Sequence, residues 1–126
     1  MILGIGVDLV EVARMQGLLD RKGERVLRRL FTDGERAYAS THREPARQLA
    51  ARAAAKEAAF KALSGNDLAR AIGWRELEVV STPGRAPVLV LHGRAVQRAR
   101  ELGVAHIHLS LTHSESTACA MVIAEA

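Results

Sequence analysis

The sequence predicts an α+β fold in which a mostly antiparallel sheet packs on a long central helix. Two pairs of short apolar segments are each joined by a turn-forming segment, which is typical of antiparallel hairpins. The paired segments are residues 74–81 with 88–91 and residues 106–113 with 117–123. The longest helical pattern, at about residues 46–63, supplies the central helix. The 126 residues suit one domain, 1–126, with one core.

The first strand, at about residues 2–11, carries an acid where a buried strand is expected. Strand side chains alternate between two faces. The apolar face holds Ile5, Val7 and Leu9, and the opposite face holds Gly4, Gly6 and Asp8. Two glycines let a ligand or a helix approach the backbone closely, and an unpaired buried carboxylate costs on the order of several kcal/mol. Asp8 therefore needs a partner, either a bound cation or one of the arginines.

The segments between the first strand and the first hairpin are predicted to be helical. A helical pattern at about residues 12–30 contains several arginines. Thr32, with Glu35 three residues later, matches a capping box and predicts a short helix. A polar break that ends at Pro45 precedes the long helix, and Ser64-Gly-Asn66 ends that helix.

Turn residues separate the later elements. The segment 82–87 contains proline and glycine and joins the first hairpin, and the segment 114–116 joins the second. Between the hairpins, residues 94–102 have a helical pattern that ends at Gly103. Helices and strands interleave, but hairpins dominate, which favours the α+β class.

Composition narrows the class of protein. Aromatic residues make up only 3% of the chain against 48% hydrophobic residues, so the core must consist mainly of alanine and aliphatic side chains. A lone cysteine, Cys119, cannot form an internal disulfide, which favours a reducing compartment. No apolar stretch approaches the ~20 residues that span a bilayer. We therefore expect a cytoplasmic protein without a membrane partner.

The basic charge of the chain favours acidic or phosphate-bearing partners. The net charge is +4, and 15 of the 18 basic residues are arginine. Arg14, Arg21, Arg25 and Arg28 recur at roughly helical spacing, as either a docking surface for an acidic partner or a solvated face. A second possible function is that of a non-enzymatic basic module that binds nucleic acid. The scarcity of aromatic residues argues against single-strand binding.

Glu57 borders the apolar face of the long helix among alanines. Small neighbours leave room for another backbone or a ligand beside the carboxylate. Lys61 follows four residues later and either forms a surface ion pair with Glu57 or contacts a phosphate. If the helix crosses the first strand, Glu57 and Asp8 converge. Two carboxylates suit Mg²⁺, which takes one or two acids together with substrate phosphates and waters.

Three segments have the order, spacing and total chain length of a known family. They are Gly4-Ile-Gly-Val-Asp-Leu-Val-Glu-Val12 followed by Arg14, Arg52-Ala-Ala-Ala-Lys-Glu-Ala58 with Lys61, and Leu109-Ser-Leu-Thr-His-Ser114. In these segments the chain resembles the holo-acyl-carrier-protein synthases, the short class of 4'-phosphopantetheinyl transferases. The likeness covers nearly the whole chain.

This resemblance implies an activity. The 4'-phosphopantetheine arm of coenzyme A would pass to a serine hydroxyl of an apo acyl carrier protein, in fatty-acid or polyketide biosynthesis, with release of adenosine 3',5'-bisphosphate. Asp8 and Glu57 would be catalytic ligands of Mg²⁺, and Lys61 would contact phosphate or help to deprotonate the serine. The residues that would bind coenzyme A are Lys61, Arg52, Gly84, Arg85 and His113.

The resemblance also implies partners and assembly. The acidic carrier protein would dock on Arg14, Arg21, Arg25 and Arg28. The resemblance further implies a compact homotrimer whose active sites lie between subunits. Nucleic acid and membranes would not be partners.

The chain departs from the family pattern in two places. Ala53 stands where the second motif has a bulky aromatic residue, and the turn Gly84-Arg-Ala-Pro87 is longer than the family's glycine–basic–proline turn. Three groups remain candidates for the general base that removes the serine proton, namely Lys61, Glu57 and a metal-bound water. A metal-dependent phosphohydrolase with the same two acids is a further alternative, and it would consume coenzyme A without a carrier protein.

Overall fold

Two antiparallel sheets, six α-helices and one short 3₁₀ helix make up the chain in the computed structural model, which describes residues 1–126. The elements are β1 (Ile2–Glu11), α1 (Val12–Lys22), α2 (Glu24–Leu30), α3 (Asp33–Ser40), α4 (Pro45–Ala62), α5 (Asp67–Ala71), the 3₁₀ helix (Trp74–Glu76), β2 (Leu77–Val80), β3 (Val88–Leu91), α6 (Arg94–Leu102), β4 (His106–His113) and β5 (Thr117–Glu125). The α+β prediction is confirmed. None of these helices combines the length and the apolar character needed to cross a membrane.

The larger sheet has the strand order β1-β5-β4, and α4 packs across it. All its pairings are antiparallel, with Asp8 opposite Ala120 on β5. The predicted hairpin β2-β3 forms a separate two-stranded sheet. Most of α4 is buried, and its alanines form the centre of the core. The predicted central helix is therefore observed.

Two glycines of β1 allow α4 to lie directly against the strand. A Cβ atom on Gly6 would stand 1.7 Å from the carbonyl oxygen of Ala58, and one on Gly4 would stand 1.9 Å from that of Ala62. Real Cβ atoms do not approach backbone that closely. Of the two alternatives for the glycine face, helix packing is the one that occurs.

The other face of β1 is exposed, so the expectation of a buried strand is wrong for that face. Ile5 is 60% exposed and Leu9 is 66% exposed, and Met121 of β5 is also exposed opposite Val7. We call these four residues the exposed sheet face. The core lies on the glycine side of the sheet, because α4 covers only that side.

Two helix and strand predictions are corrected. The pattern at 12–30 is not one helix, because Gly23 adopts a positive φ of 55° between α1 and α2. Residues 74–76 form a 3₁₀ turn before β2 instead of a strand, held by the Glu76 carboxylate, which accepts a hydrogen bond from the backbone N–H of Gly73. The predicted capping box of α3 is confirmed, with both reciprocal bonds present between Thr32 and Glu35.

Candidate active site

Asp8 lies on the glycine face of β1 and is paired with a lysine of α4. The Lys61 ammonium stands 3.3 Å from Asp8 Oδ1 and donates a hydrogen bond of 2.9 Å to the carbonyl oxygen of Val7. The Asp8 side chain is 19% exposed. The partner of Asp8 within the protein is therefore a lysine and not one of the arginines.

Asp8 and Glu57 line the same cavity, which has a volume of about 260 Å³. We call it the acid cavity. Its apolar wall consists of Leu9, Val10, Met15, Leu18, Leu30, Ala53 and Trp74. Glu57 takes part in none of the ion pairs of the structure, so the alternative of a Glu57–Lys61 surface pair is wrong. The two acids converge because α4 crosses β1 at the glycines.

The acid cavity offers two carboxylates to a cation. No group of three or more histidine, cysteine, aspartate or glutamate side chains in the structure is arranged to hold a metal ion. A structural zinc site would need four such ligands, typically cysteine and histidine. The carboxylate oxygens of Asp8 and Glu57 would suit Mg²⁺, which is commonly held by one or two acids together with waters and substrate phosphates.

The four arginines predicted to dock a carrier are all exposed, but on two helices. Arg14 and Arg21 belong to α1, and Arg25 and Arg28 belong to α2. Arg14 also lines the acid cavity. The break at Gly23 separates the two pairs, so they do not form one continuous helix face.

A second cavity brings together four residues predicted to bind coenzyme A. Arg52, Gly84, Arg85 and His113 line a cavity of about 650 Å³, which we call the basic cavity. They come from α4, the β2-β3 turn and the end of β4. The fifth predicted residue, Lys61, lies at Asp8 instead. A volume of this size is typical of small-molecule sites.

Arg52 is the most unusual residue of the basic cavity, because it is a buried cation without a carboxylate partner. It is 2% exposed, and its guanidinium carbon lies 4.1 Å from the centre of the Tyr38 ring. Its Nη2 donates a 2.8 Å hydrogen bond to Ser81 Oγ, while its Nε has no partner. Burial lowers the pKa of Arg52, and Tyr38 and Glu35 oppose that shift. Such a cation favours an anionic ligand.

The two cavities lie on different sides of α4. Arg52 and Glu57 are five residues apart on this helix, which separates their side chains by about 140° around its axis. Glu57 thus faces β1 and α1, whereas the buried guanidinium of Arg52 faces α3 and the end of β2. In one chain, Asp8 and Glu57 do not share a pocket with Arg52, Arg85 and His113.

Comparison with known families matches residues 4–122 to the model of the 4'-phosphopantetheinyl transferase superfamily. The chain belongs to this superfamily. A holo-(acyl-carrier-protein) synthase from Anaeromyxobacter dehalogenans is 50% identical over 128 residues, with 99% of this chain and 97% of that protein covered. The family resemblance of the three motifs is confirmed.

Solved structures of such synthases share the fold. The one from Neisseria meningitidis has a TM-score of 0.87 at 28% identity, with 100% of both chains covered. The one from Bacillus anthracis str. Ames, in complex with CoA (3',5'-ADP), has a TM-score of 0.78 at 29% identity and covers 98% of this chain and 96% of its own. The predicted transferase fold is therefore confirmed.

The departure from the transferase pattern at Ala53 is accompanied by an aromatic residue from another element. Ala53 and Trp74 line the same cavity, and the Trp74 ring meets Phe60 edge to face with centroids 5.2 Å apart. Sequence reasoning gave Trp74 no role at the site. Its only signal was that it is the single tryptophan of the chain.

The longer turn of this transferase still brings its arginine to the basic cavity. Gly84 has a φ of 75°, a conformation that glycine adopts without strain, and the backbone N–H of Arg85 donates to the carbonyl oxygen of Thr82. Arg85 is exposed at the cavity edge. Tyr38 and Ser81, which hold Arg52, are further site residues that sequence reasoning missed, because they come from distant segments.

Proposed function

We propose that this chain transfers the 4'-phosphopantetheine arm of coenzyme A to a serine hydroxyl of an apo acyl carrier protein, with Mg²⁺ held by Asp8 and Glu57. The observation that carries the proposal is the shared cavity of these two acids in a member of the transferase superfamily. The name of the 50% identical relative supports the carrier protein as acceptor. The Bacillus anthracis complex supports coenzyme A as donor.

The acids and Lys61 act at the diphosphate in this proposal. Bound between Asp8 and Glu57, Mg²⁺ would neutralise the diphosphate of coenzyme A as the leaving group takes up charge. Lys61 donates to two acceptor oxygens in the structure, at Val7 and Asp8, and an ammonium carries three N–H groups. The third N–H is available to a phosphate oxygen. We therefore assign Lys61 a phosphate contact.

The basic cavity binds the nucleotide end of coenzyme A. Arg52 and Arg85 supply guanidinium groups, which recognise phosphate through paired N–H donors. His113 at the end of β4 adds a ring nitrogen. No atom lies within 4 Å of the position that a Cβ of Gly84 would occupy, so the turn leaves open space at Gly84. The departing bisphosphate would keep these contacts as it leaves the phosphorus, so the cations stabilise the leaving group.

Two subunits complete one active site in this proposal. Coenzyme A needs the acids at its diphosphate and the cations at its nucleotide, yet these groups lie on different sides of α4. We propose that the acid cavity of one subunit faces the basic cavity of a neighbour in a homotrimer. The exposed sheet face supports association, because contiguous apolar side chains on a surface are typical of an interface. A head-to-tail contact closes into a ring when its rotation permits, and a ring of three is the assembly that we propose.

The carrier protein docks beside the acid cavity. Arg14 lines that cavity, and the other three exposed arginines of α1 and α2 would steer an acidic surface toward it. The serine of the carrier then reaches the phosphorus from the acid side. We place the reaction in the cytoplasm, treat residues 1–126 as one transferase domain, and include neither nucleic acid nor membranes among its partners.

A carrier-loading assay tests the activity. Purified protein is incubated with coenzyme A, MgCl₂ and an apo acyl carrier protein, and the intact carrier mass is recorded. We expect a gain of one phosphopantetheine, lost when EDTA replaces Mg²⁺ or when the carrier serine is changed to alanine. No gain beside an active control transferase would contradict the proposal. Consumption of coenzyme A with unmodified carrier would instead favour the phosphohydrolase.

Assembly is tested at Val7. Val7→Glu places a charge in the centre of the exposed sheet face, and the side chain is half exposed in the single chain, so the fold should persist. We expect light scattering to show trimers for the wild type and monomers for the variant, with loading activity reduced at least about 100-fold because each active site is split. Gln97→Glu, an exposed change on α6, serves as control. A monomeric Val7→Glu that keeps wild-type loading activity would refute the shared site, and a trimeric one would refute an interface at the exposed sheet face.

A further inference from the structure

A fully buried ion pair contacts Trp74 in the wall of the acid cavity and the strand β2, which leads to the wall of the basic cavity. The ammonium of Lys56 on α4 stands 2.7 Å from Glu35 Oε1 on α3, and both side chains are 0% exposed. Neither residue lines a cavity, so neither can contact a substrate directly. We propose that Lys56 and Glu35 are positioning residues of the transfer reaction, which set the walls of both cavities against α4. This inference rests on the proposed function.

Lys56 fixes the backbone of the segment that forms the wall of the acid cavity. Besides the bond to Glu35, its ammonium donates to the carbonyl oxygens of Trp74, at 2.8 Å, and Leu77. All three N–H donors are thereby used. The residue next along the helix is Glu57. One turn of α4 thus carries both Glu57, an acid of the site, and Lys56, which binds the backbone of the cavity wall at Trp74.

Glu35 fixes the middle of β2 from the other side. Its Oε2 accepts a 2.8 Å hydrogen bond from the backbone N–H of Val79, and its Oε1 accepts one from Thr32. Two residues beyond Val79, Ser81 holds the guanidinium of Arg52. The turn that carries Arg85 follows directly. By holding β2, the same carboxylate therefore positions Ser81 and the following turn in the wall of the basic cavity.

The energetics indicate that stability alone does not account for this pair. Both side chains are 0% exposed, so the charged pair loses its hydration inside the core, and that desolvation offsets the attraction between the charges. Apolar side chains of similar volume often replace such pairs at no loss of stability. They would fill the space but could not hold the Trp74 and Leu77 carbonyls or the Val79 N–H in place. What the pair adds is directional bonding to the cavity walls.

The test replaces both partners at once by Glu35→Leu with Lys56→Met. The melting temperature is expected to fall, because the carbonyls of Trp74 and Leu77 and the N–H of Val79 lose their partners in the core, so the turnover number is compared with that of a control destabilised elsewhere. The turnover number for carrier loading is expected to fall about 10- to 100-fold, because small misplacements of reacting groups cost rates of this size. Trp74 is the single tryptophan, so acrylamide quenching of its fluorescence reports the wall directly. We expect quenching to rise in the double variant, without any substrate present.

A matched control separates positioning from stability. Leu89→Ala removes core volume on β3 and leaves the ion pair intact, so it should lower the melting temperature while the turnover number and Trp74 quenching stay unchanged. Wild-type turnover and wild-type quenching in a folded double variant would overturn the inference. If the double variant fails to fold, Glu35→Gln replaces it, with an expected loss of about tenfold. Unchanged turnover in that variant would overturn the inference equally.

The readouts distinguish this inference from the proposed function. Trp74 quenching needs neither coenzyme A nor a carrier, so it remains informative if the wild type proves inactive in carrier loading. An active wild type with an unaffected double variant would refute the positioning role and leave the transfer reaction standing.

Discussion

Replacing Gly6 by alanine is expected to separate β1 from α4 and to destabilise the protein severely. The new Cβ would lie 1.7 Å from the carbonyl oxygen of Ala58, which is helix backbone and cannot rotate away. Either the strand or the helix must shift, and because backbone is displaced we expect a cost at the upper end of the roughly 1–3 kcal/mol that is typical of overpacking, or above it. That is a large part of the roughly 5–15 kcal/mol by which domains are stable. The same shift would move Asp8 relative to Glu57.

Thermal unfolding followed by circular dichroism measures this effect. The melting temperature of Gly6→Ala should fall by about 10 °C or more, or the variant should be recovered unfolded. Gly17→Ala is the matched control, because its Cβ would meet only the end of the flexible Arg21 side chain within α1, where alanine is the better helix former. It should be neutral or stabilising. A wild-type melting temperature for Gly6→Ala would mean that α4 does not lie against this strand.

Glu57→Gln is expected to abolish carrier loading while the protein stays folded. Glu57 is partly exposed and forms no ion pair, so the isosteric amide should change the free energy of unfolding by no more than about 0.5 kcal/mol. An amide is a poorer ligand for Mg²⁺ than a carboxylate because it is neutral. Loss of one electrostatic contact at the reacting phosphate should lower the turnover number by at least about 10²–10³-fold.

Rates of carrier loading at saturating coenzyme A and varied Mg²⁺ measure this effect. Glu101→Gln on α6 is the control, since this exposed carboxylate lines neither cavity, and it should load the carrier at the wild-type rate. If Glu57→Gln keeps near-normal turnover, Glu57 is not a ligand of the metal. If both variants lose activity together, the defect lies in folding, and circular dichroism would reveal it.

Local sequence signals predicted the elements that depend on neighbouring residues. The capping box of Thr32 and Glu35 needs only a hydroxyl and a carboxylate three residues apart, and both of its bonds are observed. The two hairpins followed from turn residues between apolar segments, and both are antiparallel pairs. The break at Gly23 was missed because one glycine within a helical pattern is compatible with either a continuous or a divided helix.

The candidate site was predictable where a motif places residues on rigid elements. Asp8 and Glu57 were expected to converge if α4 crossed β1, and they line one cavity. The partners of Arg52 could not be predicted in this way, because Tyr38 and Ser81 belong to segments whose approach depends on the packing of α3 and β2. Nor could residue type reveal the burial of Lys56, since lysine is almost never fully buried unless it is paired.

The amino-acid sequence by itself indicated the fold class, the resemblance to the family, and Asp8 and Glu57 as candidate acids, because these depend on short-range patterns and on the order and spacing of motifs. Alternation in β1 likewise determined which side chains share a face. Only the tertiary structure decided which face α4 covers, that Asp8 pairs with Lys61, and that Arg52 and Arg85 lie in a different cavity from the two acids. These outcomes depend on how distant elements meet, and the backbone contact that two glycines allow is what fixes that meeting.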